Sequence, residues 1–316
     1  MTKIVVTGVA GFIGSTLAQK LLEQNHDVLG IDSITDYYSN RIKEKNIEIF
    51  LQKSNFTFLQ QDLDQIDLKK IFENVEYVFH LAGQPGVRKS WGKDFKIYNK
   101  NNIIITQKIL ESLKDHSTLK KFVLASSSSV YGNQSGILNE EKSLTRPVSP
   151  YGVTKLAAEN LSNLYYENFK IPTISLRYFT VYGPKQRPDM AFTKFLHSII
   201  NNKKISIYGN GEQTRDFTYV DDIVSATINA ATSNSVGKIF NIGGGSVISI
   251  NQIIEIMKNL SNKDFEIEFI NEQKGDVKHT NADITKSREL LNYVPKTDIK
   301  TGLKKQFDFI KNNQSL

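Results

Sequence analysis

Five short runs rich in β-branched and aromatic residues alternate with amphipathic stretches through the first half of the chain. That alternation restricts the fold more than any other feature. The runs are Lys3–Val6, Val28–Ile31, Phe56–Leu59, Tyr77–Leu81 and Phe122–Ala125; between them lie Phe12–Glu23, Ser39–Phe50, Leu63–Phe72 and Phe95–Leu113. Runs that are apolar on successive residues suit strands buried on both faces, as in a parallel sheet covered by helices. Strand, helix, strand, helix therefore predicts an α/β fold with a doubly wound parallel sheet. A sixth strand, Thr173–Arg177, follows a long helix that begins near Tyr151. After Arg177 the rhythm changes: Tyr182-Gly183-Pro184, Tyr208-Gly209-Asn210-Gly211 and Gly243-Gly244-Gly245 separate shorter elements. Residues 1–175 are expected to form the sheet domain, which also receives segments near 215–243. Most of 176–316 is expected to form a smaller mixed α/β region interleaved with it. Lys311–Leu316 is polar and expected to fray.

Composition removes several classes of function. The 316 residues contain no cysteine, which excludes a disulfide scaffold, thiol catalysis and Cys-ligated zinc or iron–sulfur sites. The five histidines form no H-x-x-x-H or carboxylate cluster, so no metal site is expected, and His80 beside a strand end reads as structural. The chain opens Met1-Thr2-Lys3 and enters Ile4-Val5-Val6 directly, without a charged leader and apolar stretch. No apolar run approaches the ~18 residues of a membrane span. A cytoplasmic, soluble protein is expected. The 40 Lys+Arg exceed 33 Asp+Glu, a formal charge of +7. That surplus suits nucleic acid, an acidic membrane or an anionic small molecule, or simply reflects lysine-rich composition. Aromatic and basic residues are not interleaved as in RNA-binding surfaces, so no nucleic-acid partner is expected. Lys43-Glu44-Lys45 and Lys69-Lys70 read as solvated helix faces.

Chemistry is concentrated in two places. Thr7-Gly8-Val9-Ala10-Gly11-Phe12-Ile13-Gly14 joins the first strand to the first helix with G-x-x-G-x-x-G spacing. Glycine permits the tight turn and lets the backbone approach a pyrophosphate, which rests on the helix N-terminus. Asp32 ends the second strand about 20 residues on, where a carboxylate hydrogen-bonds an adenosine ribose diol and repels a 2′-phosphate. NAD is therefore favoured over NADP. The second place is Tyr151-Gly152-Val153-Thr154-Lys155, with Ser149 as N-cap and Pro150 in the first turn. An i,i+4 spacing puts Tyr151 and Lys155 on one face. A phenol with an ordinary pKa of about 10 needs a nearby cation to act as a base near neutrality. Taken alone, Tyr-x-x-x-Lys is a common surface pattern. Here it follows the glycine turn and the run Ser126-Ser127-Ser128-Ser129 at a strand's C-terminal end, where parallel sheets bind ligands.

Thr7–Gly14, Ser127, Tyr151 and Lys155 resemble the extended short-chain dehydrogenase/reductase family, a Rossmann fold, over essentially the whole chain. The resemblance is closest to its NAD-dependent nucleotide-sugar epimerases. Asp62-Leu63, His80-Leu81-Ala82-Gly83, Asn102, Leu176-Arg177-Tyr178-Phe179, Gly211–Tyr219 and Asn241-Ile242-Gly243 extend the match. It implies that NAD is held by Gly8, Gly11, Phe12, Ile13, Gly14, Asp32, Asp62, Leu63, Leu81, Ala82, Asn102, Tyr151 and Lys155. It further implies Tyr151 as catalytic base and acid, Lys155 lowering its pKa and holding the nicotinamide ribose, and Ser127 hydrogen-bonding the reacting sugar oxygen. Family members of this kind dimerise through a four-helix bundle. The helix before the serine run and the one carrying Tyr151 are the expected contributors to a homodimer.

Within that resemblance, sugar 4,6-dehydratases carry Thr-Asp-Glu where this chain has Ser127-Ser128-Ser129, and UDP-glucuronate decarboxylases carry Glu at the last position. Serines supply neither acid, which leaves epimerisation or simple keto-reduction. Thr180 stands where galactose-type epimerases usually have Asn. With Gly86-Val87-Arg88, Trp91-Gly92 and Arg187-Pro188-Asp189-Met190 it is similar to the UDP-glucuronate 4-epimerases. The resemblance places Arg88, Ser127, Ser128, Thr180 and Arg187 at the sugar end, with Arg187 near the sugar carboxylate. Arg215 resembles the diphosphate-binding arginine and Asp276 the ribose-contacting carboxylate. Lys278-His279 replaces an arginine frequent after that aspartate; a lysine offers a point charge rather than a fork. Arg187 as a phosphate ligand or loop cap stays open on these residues. So do a UDP-glucose or UDP-N-acetylglucosamine 4-epimerase, a 4-keto-sugar reductase and a non-catalytic dinucleotide sensor.

Overall fold

The computed structural model describes residues 3–273 and 275–313; Met1, Thr2, Lys274 and residues 314–316 lie outside them. The first half runs β1(Lys3–Thr7), α1(Phe12–Glu23), β2(Asp27–Ile31), α2(Asn40–Glu48), β3(Phe56–Leu59), α3(Leu68–Phe72) and β4(Tyr77–His80). Next come α4(Phe95–Tyr98), a π-helical turn Asn99–Ile104, α5(Ile105–Ser112), β5(Lys121–Ser127), α6(Pro150–Phe169) and β6(Thr173–Tyr178). The second half runs β7(Thr180–Tyr182), α7(Ala191–Ile200), β8(Ile205–Tyr208), β9(Thr214–Tyr219), α8(Val220–Thr232), β10(Lys238–Ile242) and β11(Val247–Ser249). It ends with α9(Ile250–Ser261), β12(Ile267–Ile270), α10(Thr285–Leu291) and α11(Ile299–Asn312).

Seven strands form one parallel sheet in the order β10-β6-β5-β4-β1-β2-β3. Successive side chains feed opposite cores, which explains why the runs are apolar without alternation. Ile4, Val6, Phe79 and Val123 point into one core with α1 and α8. Val5, Val78, Phe122 and Leu124 point into the other with α3, α5 and α6. Burying each such side chain is worth roughly 1.5–3 kcal/mol. Among the described residues, a three-stranded sheet β11-β9-β7 and a two-stranded sheet β12-β8 make up the remaining strands. No helix among the described residues is long and apolar enough to cross a membrane.

Several boundaries differ from expectation for local reasons. The helix expected over Leu63–Phe72 shrinks to Leu68–Phe72, because Asp62 accepts the Asp64 N–H (2.9 Å) and folds a turn first. Asp67 then caps α3 by accepting from the Lys70 N–H. Lys311 and Asn312 are helical, not frayed, since Ile310 on the same turn is buried. Lys43 is a correction too: it is 5% exposed, on the stripe with Asn46, Ile47 and Phe50, while Lys45, Lys69 and Lys70 are exposed as expected.

Candidate active site

The strand order reverses between β1 and β4, and a cleft of about 640 Å³ opens at their C-terminal ends. In doubly wound sheets that is where ligands bind. The glycine turn forms one wall. Gly8 has φ +72°, and a Cβ there would lie 2.7 Å from the Ala82 nitrogen; one on Gly14 would lie 2.1 Å from the Gly8 oxygen. Both collisions are with backbone, so the turn tolerates no side chain at either position. No side chain caps α1, and the residues of its first turn, Phe12, Ile13 and Gly14, line the cleft. A pyrophosphate fits that set of N–H groups. Asp32 accepts N–H groups from Ala10 (3.0 Å) and Ile34 (2.8 Å). Burial pushes its carboxyl up, opposed by those two bonds and by Lys43.

Gly8, Gly11, Phe12, Ile13, Gly14, Asp32, Asp62, Leu63, Leu81, Ala82, Tyr151 and Lys155 all line this cleft. Asn102 does not. It sits behind the wall, accepting the Gln84 N–H (2.7 Å) and donating to the Gln84 carbonyl and Thr154 Oγ1. It lies in the π-helical turn, and it ties the 83–84 loop to α6. Asp62 reaches the cleft from a salt bridge with Lys100 (3.0 Å). His80 is buried behind the cleft between Thr7 Oγ1 (2.8 Å) and Thr106 Oγ1 (3.1 Å). Burial and the charge of Lys155 push it down to about 3 and keep it neutral.

A second cleft of about 890 Å³ continues from the first. Tyr151, Ser126, Tyr178, Tyr37 and Arg187 line both. Tyr151 stands there because Ser149 caps α6 (3.1 Å to the Gly152 N–H) and Pro150 occupies its first turn. Its ring packs edge-on against Tyr98, with centroids 6.3 Å apart. Burial pushes the phenol up; a hydrogen bond with Ser127 and the charge of Arg187 pull it down. Ser127 and Arg187 are sources of that pull that the sequence did not suggest. Ser127 itself donates to Ser129 Oγ (3.1 Å).

Lys155 is 8% exposed, and burial pushes its ammonium down to about 8, with Glu159 opposing. Unfolded, the same lysine holds its proton to its ordinary value of 10.5. The folded chain thus binds fewer protons between those values, so this group adds stability as pH rises through that window and is constant below it. Lys155→Met should remove the effect. In urea melts of the cofactor-free protein, the wild type is expected to gain on the variant from about pH 8 upward. A difference independent of pH would show that the lysine titrates normally.

Ser127, Ser128, Thr180, Arg187, Arg88 and Asp276 line the second cleft. At its far end Arg88 pairs with Asp276 through two bonds (3.3 and 2.6 Å) and lies 4.0 Å over the Tyr208 ring. Arg215 is electrostatically coupled to Arg88 and Asp276 but is not on the wall. Its donors go to the carbonyls of Thr214, Val277 and Lys278. His279 faces Thr214 Oγ1 (2.9 Å), and Lys278 lies 4.0 Å from Glu272.

Sequence reasoning passed over several contributors. Tyr37, Gln84, Lys43 and Lys100 line the first cleft. Glu159 is 1% exposed and accepts from Ser126 Oγ and from Arg177. Lys43 was findable as the lysine on α2's apolar stripe, and Glu159 as the next i+4 position after Lys155.

A dinucleotide cradle at the switch point, opening onto a Ser–Tyr–Lys set, defines a nicotinamide-dependent enzyme acting on a carbinol. The chain belongs to the NAD dependent epimerase/dehydratase family, whose model matches residues 4–243. It is 43% identical to a UDP-glucuronate 4-epimerase of Thermodesulfobacterium geofontis, over 99% of this chain and 97% of that one. It is 42% identical to an uncharacterized UDP-glucose epimerase of Bacillus subtilis, over 98% of each. Among solved structures, the UDP-glucuronic acid 4-epimerase of Bacillus cereus with UDP-glucuronic acid and NAD superposes with a TM-score of 0.95 at 45% identity. The match covers 98% of this chain and 99% of that one.

Proposed function

We propose that the protein is a UDP-glucuronate 4-epimerase that interconverts UDP-glucuronate and UDP-galacturonate through a transient 4-keto sugar. The observation that carries this reading is the grouping of Tyr151 and Arg187 where the two clefts meet, with Ser127 on the wall of the second and serines rather than carboxylates at 127–129. NAD, when bound, supplies a reversible hydride acceptor. The glycine turn, the α1 N-terminus and Asp32 hold it, and Lys155 reaches its ribose. Tyr151 removes and returns the C4 hydroxyl proton, helped by Ser127 and the field of Arg187. No carboxylic acid lies on the 127–129 run to expel a hydroxyl or take a C5 proton, which separates this site from a dehydratase. The 4-ketone of a glucuronate is a β-keto acid, which loses CO2 when its carboxylate bond aligns with the carbonyl π-system. Arg187 suits the task of holding the carboxylate out of that alignment, because its planar fork grips such a group directionally.

At the far end, Arg88 and Asp276 on the wall suit the uridine diphosphate, with the charge of Arg215 behind them. Exposed Ile104, Val153 and Leu164 on the adjoining surfaces of the π-turn and α6 suit a homodimer face. The cofactor and substrate class suit a cytoplasmic enzyme. Incubating the purified protein with UDP-glucuronate and no added reductant tests the reading. NMR should report C4 inversion to UDP-galacturonate without stoichiometric CO2. Absence of UDP-galacturonate at equilibrium would overturn it.

A further inference from the structure

Arg187 does not meet the sugar end of the cleft as a free cation. A turn closed by the Met190 N–H on the Arg187 carbonyl (3.1 Å), with Pro188 inside it, brings Asp189 back beside the guanidinium. Asp189 accepts from Nε (2.9 Å) and from Nη2 (3.0 Å), taking one edge of the fork. The side chains are 19% and 30% exposed, so the pair is partly withdrawn from water. Tyr37 lines the same cleft and lies within the field of the pair. A guanidinium has five N–H groups, and this leaves three: two on the Nη1–Nη2 edge and one on Nη1 turned back toward Cδ. Among the described residues no other acceptor is bonded to Arg187. Lys194 also acts on Asp189, and Lys89 lies 4.7 Å over the Tyr37 ring in the same cleft.

We propose that Asp189 is a specificity-determining, positioning residue. It directs the Nη1–Nη2 edge of Arg187 at the sugar, and its charge offsets that of Arg187, setting how strongly an acid sugar is preferred to a neutral one. This inference rests on the reading of the site as one for UDP-hexoses. A sugar carboxylate meets an arginine already half satisfied, so its gain is moderated. A neutral hydroxymethyl group meets no uncompensated cation, so its penalty is small. Without the Asp189 charge, both effects reverse in favour of the acid.

Calorimetric titration of the NAD-loaded protein with UDP-glucuronate and UDP-glucose reads the effect directly. Asp189→Asn keeps one acceptor for Arg187 and removes the charge. The ratio of the UDP-glucose Kd to the UDP-glucuronate Kd is expected to rise about tenfold over wild type. A rise below about threefold, or a fall, would overturn the proposal, because a merely structural residue shifts both ligands alike. Should Asp189→Asn fail to fold or retain NAD, Asp189→Ser removes the same charge and is read on the same scale. Because the ratio is measured from binding, a wild type that makes no UDP-galacturonate sinks the reaction assignment and leaves this test intact.

Discussion

Replacing Tyr151 with phenylalanine is expected to lower kcat for UDP-glucuronate epimerisation by about three orders of magnitude, within the usual range for losing a general acid–base. Phe keeps the ring that packs edge-on against Tyr98. The change therefore removes only the hydroxyl, with its bond to Ser127 and its exposure to the charge of Arg187. The glycine cradle and Asp32 are untouched, so the variant should retain NAD, which absorbance of the purified protein measures. Proton removal from C4 loses its acceptor, and neither neighbour replaces it: Ser127 is an ordinary hydroxyl, and Arg187 holds its protons. Turnover within tenfold of wild type would show that the phenol does not carry the proton.

The largest expected stability effect lies one helical turn beyond Lys155. Glu159 and Arg177 are 1% and 3% exposed, joined by Nε to both carboxylate oxygens (3.0 and 3.2 Å) and by Nη2 (2.8 Å). Ser126 Oγ completes the carboxylate, and the guanidinium lies 4.6 Å over the Tyr131 ring. Although burial opposes its charge, Glu159 holds Arg177 above its ordinary pKa. Glu159→Gln leaves that cation buried without a counter-charge, and an amide N–H₂ faces a donor. Breaking one side of a buried pair costs about 3–5 kcal/mol, and urea unfolding at neutral pH measures it. A loss under about 1 kcal/mol would mean that water or a rearranged Tyr131 satisfies Arg177. The same carboxylate opposes the burial of Lys155, so any folded variant should hold that lysine's proton less tightly.

The sheet was legible because each strand's need for burial on both faces is written locally, as in Phe122–Ala125. The glycine turn was legible for a related reason: Gly8 and Gly14 face backbone, and no other residue fits there. Periodicity failed at Leu63–Asp67, where carboxylates that bond backbone N–H groups compete with the helix, a contest that hydrophobic spacing does not record. Asn102 was found as a residue of the site and misplaced within it. Its three bonds run to Gln84 and Thr154, which are distant in sequence.

The sequence alone determined the fold class, the cradle, the capped helix carrying Tyr151 and Lys155, and the family resemblance. These depend on spacings within one turn or one helix. The tertiary structure decided the rest. It showed that Ser127 and Arg187 pull on the Tyr151 phenol. It also showed that Asp189 holds Arg187, that Arg88 meets Asp276, and that the Arg215 donors go to backbone carbonyls. Charge at a site depends on distance and burial, and strand order and loop packing set both across stretches of chain that no local pattern connects.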